Sequence, residues 1–499
     1  MIKKTFFLLL SLLILFASFP ALFTKAQVSE LTWSEPVRLS SGLPIGEPAS
    51  MVADPYGFLH VFWTEILPNA QTILQYARFD GKTWSLPLDI YISPANFTIN
   101  SLSPVVDSYG ILHVVWTEGI QFKALFSTKV SVFDSLSVNN WQKPEQTRIA
   151  AEDIILKIDS KGIYHVLFSR IDDKGRGVYY IHSEDEGITW SNPAWLDSDV
   201  PPGLYPTSLS FAIDDSDGLH ATWGYAVFDD TIIGEVINWI RYAHLLEGEE
   251  QWSTFTIDKV DKTLEETGYQ LNAAGPVMIV SGQTVHVIWA GGQLHYRHHR
   301  FSTDAGRTWS NSTRILGELN GQAFDGLTLD GEGRVHFFGQ IRFPTAIYHS
   351  IWENEQWTPP SVVYFIRFTD TDPPSDQVQA HATYPAILGG NIVVLTFTDP
   401  PPDANRGLYV TTTTLDDVAP IPPILPLPSI STPTSSAPIS TPEATATEPA
   451  TPVRPSATPT FVPTPTKSFG SLPNQALLLG SFLSLLIVGG ILVFKATRQ

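Results

Sequence analysis

The chain has 499 residues, sets 50 acidic side chains against 30 basic ones for a formal charge of −20, and contains no cysteine. So acidic a chain lacks the basic footprint that nucleic acid or an anionic lipid surface requires, so neither is an expected partner. Without thiols there can be no disulfide, thiol catalysis or cysteine-bound metal, and an exported body must rest on a large apolar core.

Residues 1–26 read as an export signal. Lys3 and Lys4 precede an apolar run from Phe6 to Phe16, and small residues lead to Ala26 as the last residue before cleavage. An uncleaved anchor is the alternative. The segment holds three lysines and no acid, so the chain without it stands near −23.

Residues 27–417 repeat with a period of about 50. Each unit joins a hydrophobic strand, a Gly-containing turn and a strand bearing His and often Trp. The copies run from Asp54 to Trp63, Asp107 to Trp116, Asp159 to Phe168, Asp214 to Trp223, Gly282 to Trp289 and Asp330 to Phe338. A degenerate seventh, from Gly389 to Phe397, has lost its His. Short apolar runs bounded by Gly, Asp and Pro are strand signals, and runs such as Leu59 to Trp63 suit strands covered on both faces.

A second marker follows each unit: Trp84, Trp141, Trp190, Trp252, Trp309 and Trp357. The seventh unit ends after Leu408-Tyr-Val-Thr without one, whereas Trp33 lies ahead of the first unit. Its segment Leu31-Thr-Trp-Ser-Glu-Pro-Val-Arg38 matches Lys82-Thr-Trp-Ser-Leu-Pro-Leu88. The expectation is an all-β, seven-bladed propeller in which the N-terminal strand completes the last blade and removes the open edges. A six-bladed ring is the alternative.

Residues 418–468 are dominated by Pro, Thr, Ser and Ala, a composition that cannot bury enough apolar surface to fold. Extended at about 3.1 Å per residue, such a stalk reaches on the order of 150 Å. The segment 473–494 contains an uncharged apolar run, Ala476 to Phe494, long enough to cross roughly 30 Å of hydrocarbon as a helix. Lys495 and Arg498 follow in the five-residue tail 495–499, which places the tail in the cytoplasm and the body outside a single-pass membrane anchor.

Two turns share one pattern: Ser183-Glu-Asp185-Glu-Gly187-Ile-Thr189-Trp190 and Ser302-Thr-Asp304-Ala-Gly306-Arg-Thr308-Trp309. Asp80-Gly-Lys-Thr-Trp84 is a shortened third. The Asp caps backbone amides, the Gly supplies positive φ and the Trp packs into the hairpin. With these motifs the body resembles the sialidase-like, BNR-repeat (Asp-box) propellers over essentially its whole length. The resemblance implies that Ser183, Asp185, Gly187, Trp190, Ser302, Asp304, Gly306 and Trp309 are scaffold on the face opposite the active site.

A feature present in every blade belongs to the blade. His60, His113, His165, His220, His286 and His336 are therefore expected to bond the adjacent turns, spread too widely for one metal. In His295-Tyr-Arg297-His298-His299-Arg300, strand alternation separates the three His. No metal and no cofactor are expected.

The loops after second and fourth strands share the end that carries ligand in related propellers. That face takes Glu65, Glu118, Arg170, Asp172, Tyr225, Asp229, Arg342, Arg367 and Arg406, with long excursions over 229–238, 258–274 and 367–384. Sialidases use three arginines, a Tyr activated by Glu, and an Asp. The Arg-Ile-Pro signature that supplies the first arginine is absent, Ser40 to Pro48 holds no arginine, and the family has six blades rather than seven. Arg170, Arg342 and Arg406 are candidates for an anion clamp, Glu118 for a working carboxylate, and Tyr269 beside Glu265 and Glu266 for a nucleophile. The expected function is a cell-surface propeller binding extracellular glycan or protein through this face. A sialidase-like glycoside hydrolase acting on extracellular polysaccharide, including one with two working carboxylates, and a purely structural envelope protein are the alternatives.

Overall fold

Second strands such as Leu59–Ile66 and Ile111–Gly119 are buried almost throughout, because each is covered on both faces by neighbouring sheets. In the computed structural model these strands belong to seven antiparallel sheets. Blades 1 to 6 span 50–92, 98–150, 154–195, 205–259, 277–320 and 325–365, and blade 7 combines 384–414 with Val37–Arg38. The structure describes residues 31–425 except 48, 120–122, 173–174, 198–202, 230–233, 260–274, 292–294, 322–324, 343–344, 366–383 and 400–406. The expected signal, the stalk beyond 425 and the apolar run 476–494 lie outside the described residues. Among the described residues no helix is long and apolar enough to cross a membrane. Six blades are excluded and seven are present. Val37 pairs with Val410 and Arg38 with Tyr409, so the N-terminal strand does complete the seventh blade.

Neighbouring blades are tied by a repeated chain of side chains. In blade 1, His60 Nε2 lies 3.0 Å from Asp54 and its Nδ1 2.8 Å from the Tyr76 hydroxyl. Trp141 of blade 2 then packs edge-on against Tyr76 at 5.2 Å. The same order recurs as His220, Tyr242 and Trp309 in blades 4 and 5. His336 of blade 6 bonds His349, against which Trp33 packs edge-on at 6.4 Å. Trp33 therefore occupies the seventh Trp position of the ring.

Around the centre, serines of the inner strands bond the inner strand or the following turn of a neighbouring blade. Ser50 Oγ donates to the Leu102 carbonyl at 2.8 Å, and Ser103 Oγ accepts from the Leu156 amide at 3.0 Å. Ser210 accepts from Met278 at 3.2 Å, and Ser281 donates to Gly333 at 2.9 Å.

The two full Asp turns lie between third and fourth strands. Asp304 accepts the Thr308 amide at 2.8 Å and its hydroxyl at 2.7 Å, and Ser302 Oγ accepts the Gly306 amide at 2.8 Å. Gly306 stands at φ 85°, where a β-carbon is unfavourable. The Thr308 hydroxyl and amide lower the Asp304 carboxyl to about 2. Asp185 makes the same bonds to Thr189, at 2.7 and 2.6 Å.

One buried ion pair joins blades 5 and 6. Arg297, 0% exposed, donates through Nε to Asp325 at 2.6 and 2.9 Å, and its Nη2 donates to the Gln340 carbonyl at 3.0 Å. Replacing Arg297 with Met leaves Asp325 buried without its cation, which costs about 3–5 kcal/mol. The expected result is a lower urea midpoint with an unchanged slope.

Candidate functional site at the mouth of the ring

The inner strand of blade 2, Thr98–Val106, carries a bulge between Asn100 and Ser103, and Ser101 stands at φ 52°. The bulge turns the Ser101 amide toward Glu47, where it favours the charged carboxylate. Glu47 precedes blade 1 and is fixed by its backbone. Its amide donates to Thr64 Oγ1 at 2.6 Å, and its carbonyl accepts the Thr64 amide at 3.3 Å.

Asp153 enters from the loop before blade 3. Its carbonyl accepts the Ser169 amide at 3.0 Å, and its own amide donates to Ser169 Oγ at 3.1 Å. Beside it, Glu152 pairs with Lys123 of blade 2 at 2.8 Å. Tyr384 opens the inner strand of blade 7. Four successive blades, 7, 1, 2 and 3, thus deliver groups to one end of the ring.

These groups are electrostatically coupled. Burial raises the Glu47 carboxyl, and the Asp153 charge raises it further, against the Ser101 amide and Lys123. Burial, with Glu47 and Asp153, pushes the Tyr384 phenol up to about 12. Tyr384 nevertheless leaves 39% of its surface open, so it remains accessible at the mouth. Below the mouth, burial lowers the Lys157 amine. The mouth therefore offers a carboxyl raised by burial, a second acidic group, a neutral phenol and one amine already paired.

Several residues expected on this face lie beneath it. Glu65 is 0% exposed and accepts from Trp63 Nε1 at 3.0 Å and from the Ser41 amide at 2.9 Å. Glu118 is buried and accepts from Trp116 Nε1 at 3.2 Å and the Tyr91 hydroxyl at 3.1 Å. Burial raises the Glu118 carboxyl. Tyr225 is likewise fully buried, packed edge-on to Trp223 in the core between blades 3 and 4. All three side chains are buried in the blades. Residues 63 and 65 share one side of their strand, so the Glu follows the Trp into the blade interface.

Arg170 is half-buried with its guanidinium 5.8 Å from the Tyr179 ring centre. Asp172, Asp229 and Arg342 end second strands. Arg367, Arg406, Tyr269, Glu265 and Glu266 lie outside the described residues. His298 and His299 occupy opposite sides of their strand, stacked on Trp289 and His286 respectively. Glu47, Asp153 and Tyr384 escaped the sequence reading. Their one signal was acidity in loops preceding inner strands, at Gly46-Glu47-Pro48 and Ala151-Glu152-Asp153.

The described residues define a seven-bladed β-propeller with acidic groups at its mouth. No family model matches the chain, and no curated protein matches it by sequence. Among solved structures it is similar to an ulvan lyase from a polysaccharide lyase family, with TM-score 0.51 and 11% identity over 75% of this chain and 95% of that one. A protein of unknown function from Dyadobacter fermentans aligns at TM-score 0.47 and 13% identity, over 78% and 100% of the two chains. The NanB sialidase of Streptococcus pneumoniae aligns at TM-score 0.39 and 11% identity, over 77% and 70%. Likeness at such identities shows the fold alone.

Proposed function

We propose that this protein is a surface-displayed propeller that binds an extracellular polysaccharide at the mouth of its ring. The observation that carries the reading is the convergence of Glu47, Asp153 and Tyr384 from separate blades. Two acidic side chains, one with its pKa raised, and a phenol supply acceptors and donors, which suits the hydroxyl groups of a sugar chain. The Asp turns and the fold support membership among sialidase-like propellers. In this reading residues 1–26 direct export, the stalk expected over 418–468 begins only after 425, because Val418 is buried against the blades, and 473–494 anchor it.

The exit of the chain supports that arrangement. The Ile421 amide donates to the Gly389 carbonyl and the Ile424 amide to the Pro55 carbonyl, both at 2.8 Å. Gly389 and Pro55 belong to turns between first and second strands, so the chain leaves at the end opposite the mouth.

A second reading, cleavage of the bound glycan, is favoured by the raised Glu47 carboxyl. A carboxyl raised by burial beside a second acid, Asp153, is the kind of pair that can protonate a leaving oxygen. Affinity electrophoresis of the full-length protein against neutral and acidic polysaccharides, with Glu47→Gln and Asp153→Asn, tests both readings. Binding weakened about tenfold or more in both variants is expected. Release of reducing ends or unsaturated sugars, lost in Glu47→Gln, selects cleavage. Retention by no polysaccharide, or by both variants as strongly as the parent, sinks the assignment.

A further inference from the structure

Blade 7 has lost both members of the Asp–His pair, and blade 5 alone keeps the His without its Asp. In blades 1, 2, 3, 4 and 6 the His Nε2 meets a turn Asp at 3.0, 3.0, 3.3, 3.1 and 3.2 Å. In blade 5 the turn is Ser281-Gly282-Gln283-Thr284, which is shorter and has no Asp. His286 is 1% exposed, and its Nε2 has no hydrogen-bond partner among the described residues. Where the carboxylate stands in other blades, blade 5 has a cleft of about 420 Å³, shared with blade 6 and lined by His286, Glu332, Arg334, Trp352, Glu353 and Asn354. That volume lies within the usual range for small-ligand pockets, about 300–1,000 Å³.

The proton on His286 is placed by its neighbours. An indole nitrogen only donates, so Trp357 Nε1, 3.0 Å from His299 Nδ1, makes that nitrogen an acceptor. Burial holds both imidazoles neutral, with His286 lowered to about 4. His299 therefore carries its proton on Nε2 and donates it to His286 Nδ1 at 3.0 Å. The His286 proton is left on Nε2, a fixed donor turned into the cleft.

The rest of the lining narrows the ligand. Arg334 is engaged by Asp330 at 2.7 Å, Glu353 at 3.0 Å and Asp417 at 2.7 Å, so the only cation here is outnumbered by carboxylates even before Glu332 is added. An anion is disfavoured by that balance. Trp352, edge-on to His286 at 5.5 Å, is half-buried and supplies an apolar wall. A donor, an amide, surplus carboxylate acceptors and an indole match an uncharged ring bearing many hydroxyls.

We infer that the cleft between blades 5 and 6, on the turn face, is a second site that takes a neutral glycosyl residue, with His286 donating to a ring or hydroxyl oxygen. It is independent of the site at the mouth.

Saturation-transfer NMR on the full-length protein tests this with the methyl glycosides of glucose, galactose, mannose, xylose and rhamnose, and with glucuronate for comparison. Transfer to at least one neutral glycoside is expected, lost in His286→Phe and in Trp352→Ala. No transfer to any neutral glycoside overturns the inference, as does tighter binding of glucuronate. Transfer that Glu47→Gln abolishes and His286→Phe spares belongs to the mouth and overturns it too. Should His286→Phe fail to fold, Asn354→Gly decides. Position 354 stands at φ 50°, which Gly accepts, so loss of transfer there supports the site and its persistence refutes it.

Discussion

Acidification from pH 6.5 toward 4 is expected to destabilise the propeller steeply, before its aspartates are protonated. Burial lowers His60, His165, His220, His286, His299 and His349 below the usual imidazole range. The sign follows from proton counting. Below pH 6.5 the unfolded chain binds protons at these imidazoles, while the folded chain binds none at His286 until about pH 4. The unfolded state therefore gains protons first, and stability falls with pH across that window. For His286 alone the loss reaches about 3 kcal/mol at the lower end, at about 1.36 kcal/mol per pKa unit. A few such groups match the whole stability of an ordinary domain, about 5–15 kcal/mol. Urea midpoints measured between pH 7 and 4 should drop progressively. A midpoint that stays level, or climbs on acidification, would show that these imidazoles are not buried and neutral.

The ring was readable in the chain because its parts are local and repeated. A turn Asp, a strand His and a downstream Trp recur at near-constant spacing, and the Trp missing from unit seven reappears at Trp33. The site was harder to read, for a geometric reason. In a propeller both faces of each sheet are covered, so a polar residue late in a second strand turns toward a neighbouring blade. Glu65, Glu118 and Tyr225 are sequestered in that way, satisfied by indoles or packed in the core. The groups that do meet at the mouth come from loops and an inner-strand bulge, and lie far apart in sequence. Glu47 and Tyr384 are neighbours only because the ring closes. The Ser101 bulge that supplies an amide to Glu47 breaks strand periodicity and leaves no motif of its own.

Loss of the closing strand should be the most damaging change this chain can suffer. Only Val37 and Arg38 pair in register with Val410 and Tyr409, yet the contact extends beyond them. The Ser34 amide donates to the Thr412 carbonyl at 2.8 Å, and the Thr411 hydroxyl donates to the Ser34 carbonyl at 2.7 Å. Leu39 is buried in the cluster shared by blades 7 and 1, and Trp33 packs against Phe338 of blade 6 at 5.9 Å. Trp33→Ala alone, at a half-buried position, is expected to cost about 1–2 kcal/mol. Deleting residues 31–41 is a different kind of change. It exposes Gly407–Thr414 as an unpaired edge and opens the cluster between blades 7 and 1. Each blade buries its faces only against its neighbours, so one open interface weakens the ring as a whole. The deleted protein should aggregate and lose its cooperative thermal transition. A synthetic peptide of residues 31–41 added during refolding should restore both, by supplying the missing strand in trans. A deletion variant that melts cooperatively at the parent temperature would mean that the ring is held without its N-terminal strand.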